Sequence, residues 1–208
     1  MTADEAQPLL DDAEASLQAG DAMRAQAIFG TVLSAEGPSA HQKAQSEAGM
    51  GEAALLLKRP KEAAERFHRA AHLDPGASAF LHYRLGEAWM AAGEWTQAVS
   101  AFREALEGYP EDEGHARAEV LGRIGRARVL SGDPAGEKDL LEAIAQDPLH
   151  APLHADLGDF RMEKRDWKAA AEAYARALEL EPRNADYRAA LERVRAIAGK
   201  LAKGPSSP

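Results

Sequence analysis

Residues Ser78 to Asp112 read SAFLHYRLGEAWMAAGEWTQAVSAFREALEGYPED, and the fold is decided there. Leu85, Gly86 and Trp89, with His82 one turn earlier, share one helical face, because residues three and four apart lie above one another. Gly86 lets a second helix approach closely. Gly93 and Glu94 break the helix, and Trp95 follows the break, where a large ring covers the turn. Ala98, Phe102 and Ala105 then form a second apolar stripe of helical period, with small residues flanking a large one, so that the stripe reads as a ridge for a groove. Pro110 cannot continue a helix and closes the unit.

The rest of the chain copies this skeleton. Residues 44–77 place Met50, Gly51, Ala54, Ala63, Phe67, Ala70 and Pro75 at the same offsets. Their turn is Lys58, Arg59 and Pro60, the proline suiting the first turn of the next helix, where its missing N–H is harmless. An extra residue falls at Gly76, Ala77 and Ser78. Residues 151–184 return to the full pattern with Leu157, Gly158, Ala170, Tyr174, Ala177 and Pro182; Trp167 fills the slot of Trp95, and Arg161 replaces the aromatic of the first helix. Residues 6–38 are a degenerate copy, in which Leu9, Leu10, Ala13 and Leu17 precede a Gly20–Asp21 turn and Ala25, Phe29 and Val32 follow it. Residues 115–150 match least. Leu121, Ile124, Gly125 and Arg128 occupy the first stripe, but the second half is one residue short. Either Leu140 or Leu141 takes the large slot there, and either Ala143 or Ile144 the small one, so a shortened second helix is expected.

This spacing resembles the tetratricopeptide repeat, a helix pair of about 34 residues. The resemblance covers residues 6 to 184 and implies an all-α, right-handed α-solenoid of antiparallel helix pairs, five repeats within residues 1–184. Residues 185–203 then form a capping helix with Tyr187, Leu191, Val194, Ile197 and Leu201 on one face, as such arrays need to close their last apolar surface. The tail, residues 204–208, is expected to be disordered.

In this family the first helices line a concave groove, and the positions two before and one after the glycine slot face it. Here they are Gly49 and Glu52, Arg84 and Glu87, Arg123 and Arg126, and Asp156 and Asp159. Phe80, Tyr83, Met90 and Met162 fall on or near the same side. Stacking is expected to set Glu52 near Arg84, Glu87 near Arg123, and Arg126 near Asp156. One account is a structural ladder worth about 0–1 kcal/mol per exposed pair. The other is a charged peptide groove, in keeping with the enrichment of aromatics, methionine and arginine at interfaces. The two are compatible if a ligand competes for the arginines. Repeat modules that clamp chaperone C-terminal tails carry lysines and asparagines in these slots. This chain has Ala48, Gly49, Glu52, Tyr83 and Glu87 there, which argues against that subtype.

Composition excludes other classes. A net charge of −9 over 208 residues repels a phosphate backbone, so nucleic acid is not an expected partner. Arginine exceeds lysine about two to one, a compositional mark of GC-rich bacterial genomes. The chain has no cysteine, hence neither disulfides nor thiolate metal ligands. It has no apolar run of about 18 residues, and its acidic start lacks the features of a secretory signal, so a cytoplasmic protein without membrane insertion is expected. No phosphate loop, serine elbow or HExxH string occurs. His68 and His72 lie four apart, as do His150 and His154 if a helix runs through Pro152, but neither pair has a third ligand at fixed spacing. They are read as structural, and no metal, cofactor or catalytic residue is expected. The chain reads as a non-catalytic adaptor or scaffold binding a protein segment, acidic or mixed in charge, in its groove. The alternatives are a self-assembling scaffold, the acidic first repeat meeting the basic last helix of another copy, and a chaperone for secreted or assembling subunits.

Overall fold

The computed structural model describes residues 1–202, so the expected tail and the last residue of the expected cap lie outside the described residues. Among the described residues the regular structure is eleven α-helices and one 3-10 turn, Pro75–Ala77, with no strand. Helices α1 (Ala3–Gln18), α2 (Ala22–Ser34), α3 (Ala40–Leu56), α4 (Pro60–Leu73), α5 (Ser78–Ala91) and α6 (Trp95–Gly108) belong to one compact unit, Met1–Pro110. Helices α7 (Gly114–Ser131), α8 (Gly136–Gln146), α9 (Ala151–Glu163), α10 (Trp167–Leu180) and α11 (Ala185–Ala202) belong to a second, which starts at Glu111. The fold is all-α and built from antiparallel helix pairs; within each unit a pair packs mainly on its own partner and on the next helix in the chain.

Local chemistry sets the ends of these helices. Thr2 and Ser39 each form a capping box, with Glu5 and Gln42 returning to the cap backbone, which is why α3 starts at Ala40. Asp21 and Asp166 accept the backbone N–H groups of Arg24 and Ala169. Pro60 sits in the first turn of α4, as its missing donor allows. Every intra-pair turn passes through a left-handed residue, which is Gly20, Gly93 or Gly132 in three cases and Lys58 (φ 58°) or Arg165 (φ 59°) in the other two.

Within each helix pair the core lays one large side chain against a small residue of the partner helix. A Cβ on Gly86 would lie 2.6 Å from the ring of Phe102, and Cβ atoms on Gly51 and Gly158 would lie 2.9 Å from Phe67 and Tyr174. Ala13 and Phe29, both buried, hold the same places in α1 and α2. In the α7/α8 pair Leu140 takes the large slot and is fully buried, Leu141 is 45% exposed, and Ala143 takes the small slot. With a smaller side chain there, the backbones draw together: a Cβ on Gly136 would lie 2.6 Å from the carbonyl oxygen of Gly125. α8 is the shortest α-helix, at 11 residues, as its missing residue predicts.

Two expectations are corrected. Gly49 does not face a groove, because a Cβ on it would lie 2.2 Å from the ring of Phe29; the α3 backbone presses there on the preceding pair as well as on its own partner. On α11, Ala190, Leu191 and Val194 are buried and pack with Ala170 and Tyr174, while Leu201 is 63% exposed because the covered face ends with the half-buried Ile197. Glu47 is a buried acid that pattern reading passes over; α4 supplies Arg66 at 3.0 Å and Arg69 at 3.9 Å. No helix among the described residues is long and apolar enough to cross a membrane.

Candidate functional site

In the first unit the side chains singled out from sequence gather around α5. Arg84 grips Glu52 of α3 with two nitrogens, Nε to Oε1 at 2.7 Å and Nη2 to Oε2 at 2.5 Å, and its Nη1 donates to Glu87 at 2.7 Å. Burial disfavours the guanidinium charge, but the carboxylates of Glu52 and Glu87 together outweigh that and hold its pKa above the ordinary value. The guanidinium also stands 5.7 Å from the centre of the Phe67 ring. Tyr83 leans on the core ring of Phe102, with centroids 5.7 Å apart. Phe80, 56% exposed, stays on the surface, and Met90 is half-buried. Arg84 is therefore committed to structure.

In the second unit the corresponding residues surround a cleft of about 360 Å³ between α7, α9 and α11. It is lined by the apolar Val129, Leu130, Met162, Trp167 and Ile197 and by the charged Arg126, Asp156, Asp159, Glu163 and Arg193. Arg126 donates to Asp156 at 2.7 Å, and the Asp156 side chain is only 11% exposed. Burial raises the Asp156 pKa to about 6, aided by Asp159 and opposed by Arg126 and Arg123. Tyr174, the core ring of this pair, donates its hydroxyl to Asp159 and lies 3.5 Å from the Met162 sulfur. Burial and then the Asp159 bond push that phenol well above the usual tyrosine range. Arg123 faces Glu119 of its own helix at 3.7 Å and lines an adjoining cleft with Arg126 and Asp156.

Arg126, Asp156, Asp159 and Met162 are thus brought together as anticipated, and the pairs Glu52–Arg84 and Arg126–Asp156 both form. Sequence reading missed Val129, Leu130, Glu163 and Arg193, and placed Ile197 only on the apolar face of the capping helix. Arg193 lies on that same helix, outside the repeat slots. Trp167 was placed only as a turn-covering ring, though it also walls the cleft. The arrangement offers an apolar slot with cations and carboxylates beside it, suited to an amphipathic chain segment.

Residues 54–120 match the tetratricopeptide repeat family. No curated protein matches the chain significantly. Among solved structures, a double mutant of MamA from strain RS-1 superposes with a TM-score of 0.72 at 21% identity, covering 88% of this chain and 97% of that one. PilF of Pseudomonas aeruginosa gives 0.68 at 16% identity over 97% of this chain and 94% of its own. YrrB, described as a tetratricopeptide-repeat protein with an unusual peptide-binding site, gives 0.64 at 19% identity over 89% and 91%. At such identities the likeness is one of fold.

Proposed function

We propose that this chain, whose residues 54–120 match the tetratricopeptide-repeat family, is a non-catalytic adaptor that seats a mixed-charge protein segment in the cleft of its second unit. The observation that carries this reading is the apolar slot of Leu130, Met162, Trp167 and Ile197, bordered by Arg126 and Arg193 on one hand and Asp156, Asp159 and Glu163 on the other. Proteins of this repeat family generally serve as interaction scaffolds, and a fold alone does not select the partner. An apolar side chain of the segment would enter the slot and exclude water, while a neighbouring carboxylate would compete with Asp156 for Arg126. Arg84 takes a lesser part, because a ligand would have to displace two carboxylates from it. In the first unit, Phe80 and Tyr83 would offer a separate apolar contact.

The test is selection of peptides from a displayed random library, followed by affinity measurement on folded variants. Selected peptides should carry an apolar residue flanked by Asp or Glu. Met162→Ala and the double change Arg126→Ala with Arg193→Ala should each weaken them by about 2 kcal/mol or more, roughly thirtyfold. Peptides that bind both variants like the parent would place the recognition surface elsewhere.

A further inference from the structure

At the junction of α8 and α9, away from the cleft walls, three donor-bearing side chains converge. His115 is the second residue of α7, Asp147 caps α8, and His150 caps the start of α9. Their ligand atoms all lie within 4.8 Å of one another. His115 Nδ1 stands 2.5 Å from Asp147 Oδ2, and the two imidazole rings have centroids 5.3 Å apart. Asp147 is held in place by its second oxygen, which accepts the Leu149 N–H at 3.2 Å. His150 Nδ1 is buried and lacks a hydrogen-bond partner, an uncommon condition for a buried polar atom and one that asks for a missing neighbour.

The first unit contains a natural control. His41, again the second residue of its helix, meets Asp74, again a helix C-cap, at 2.7 Å. Three residues after Asp74 stands Ala77, where His150 follows Asp147. The His–Asp pair is therefore a recurring device between helix ends, and the third donor is what the second unit adds. Two imidazoles and one carboxylate suit a borderline divalent metal such as zinc, with a fourth position left for water or a partner side chain. Tetrahedral zinc with bonds of about 2.0–2.1 Å needs donors roughly 3.3 Å apart. His115, whose side chain is 74% exposed, is free to swing by the small distance required.

We propose that His115, Asp147 and His150 bind a divalent transition-metal cation. The ion would fasten the start of α7 to the α8–α9 turn, next to the 11-residue α8. This inference does not rest on the peptide reading, although His150 lines the adjoining cleft with Arg126 and Asp156.

The experiment is calorimetric titration of the full, tag-free chain with zinc, repeated on His115→Ala, Asp147→Asn and His150→Gln, with His41→Ala and the double change His68→Ala with His72→Ala as controls. Circular dichroism establishes that each variant is folded, and the exposure of His115 makes its change the safest. One equivalent of zinc should bind the parent and both controls, raise the melting temperature, and bind at least tenfold more weakly to His115→Ala and Asp147→Asn. Absence of one-equivalent binding overturns the proposal. So does a loss of less than tenfold in those two variants, or loss of the equivalent with the His68 and His72 change.

Discussion

Gly86 lies flat on the ring of Phe102, leaving 2.6 Å where a Cβ would stand. Phe102 is fully buried, so its ring has no room to retreat. Gly86→Ala should therefore destabilise the first unit by about 1–3 kcal/mol, the usual cost of overpacking. Gly30, inside α2, has nothing within 4 Å of a Cβ. There Gly30→Ala should stabilise by roughly 0.5–1 kcal/mol through helix propensity. Urea melts of the two variants should move in opposite directions, and a shared direction would contradict the register assigned to α5 and α6.

Lys58 and Arg165 occupy the left-handed turn position that glycine holds in the other three pairs. A side chain at such a φ costs about 1–2 kcal/mol relative to glycine. Lys58→Gly should accordingly raise stability by about 0.5–1 kcal/mol after glycine's larger unfolded-state entropy is deducted. Gly93→Ala, at φ 74°, should lower it. Thermal melts read both changes.

Much of this fold is written locally. The glycine and the large residue one helix later lie at a constant offset, so Gly51 with Phe67, Gly86 with Phe102 and Gly158 with Tyr174 announce their contacts in one dimension. A single missing residue before Leu140 left two candidates open, since period alone does not say which leucine turns inward. Burial chooses Leu140. Gly49 was misread because a helix in a stack has two packed faces, and the one against the preceding pair carries no repeating signal. Glu47 with Arg66, and His115 with Asp147 and His150, were hidden for another reason: their partners lie on other helices, outside the slots that define the repeat. Arg193 escaped notice, and Ile197 was read only as part of the cap's apolar face, because the capping helix departs from the repeat pattern that located the rest.

Leu191 and Val194 close the last apolar face against Ala170 and Tyr174. Leu191→Ala should cost about 2–5 kcal/mol, as buried leucine truncations do. The loss should fall on the second unit, so hydrogen exchange should quicken in α10 and α11 and stay unchanged in α1 to α4. Uniform quickening would mean that the chain unfolds as one cooperative body.

Asp156 links stability to pH with a definite sign. Its folded pKa, about 6, lies above the ordinary carboxyl value of 3.8, so the folded state holds the proton more tightly. Ionisation of this group therefore costs stability above about pH 6, and the penalty is relieved as pH falls from there toward 3.8. Compared with Asp156→Asn, the parent should gain about 2 kcal/mol between pH 7.5 and 4.5. Denaturant melts at both pH values measure the difference, and a parallel course for the two proteins would show that Asp156 titrates normally.

The same proton should govern ligand entry. While Asp156 is ionised it holds Arg126 at 2.7 Å, and a segment carrying a carboxylate must break that pair to enter the cleft. Protonation of Asp156 releases Arg126 while the ligand's own carboxylates, with ordinary pKa values of about 4, stay charged. Apparent affinity follows the fraction of chains in the competent state, so peptides selected on the cleft should bind up to roughly 25-fold tighter at pH 5.5 than at pH 7.5. Asp156→Asn should bind with the tighter affinity at both pH values. Salt should weaken binding in every case, because Arg126, the cation that makes the contact, is 46% exposed. Affinities of parent and Asp156→Asn measured at the two pH values decide the matter: an equal pH dependence in both would assign the titration to a histidine or to the peptide, and would remove Asp156 as the gate on Arg126.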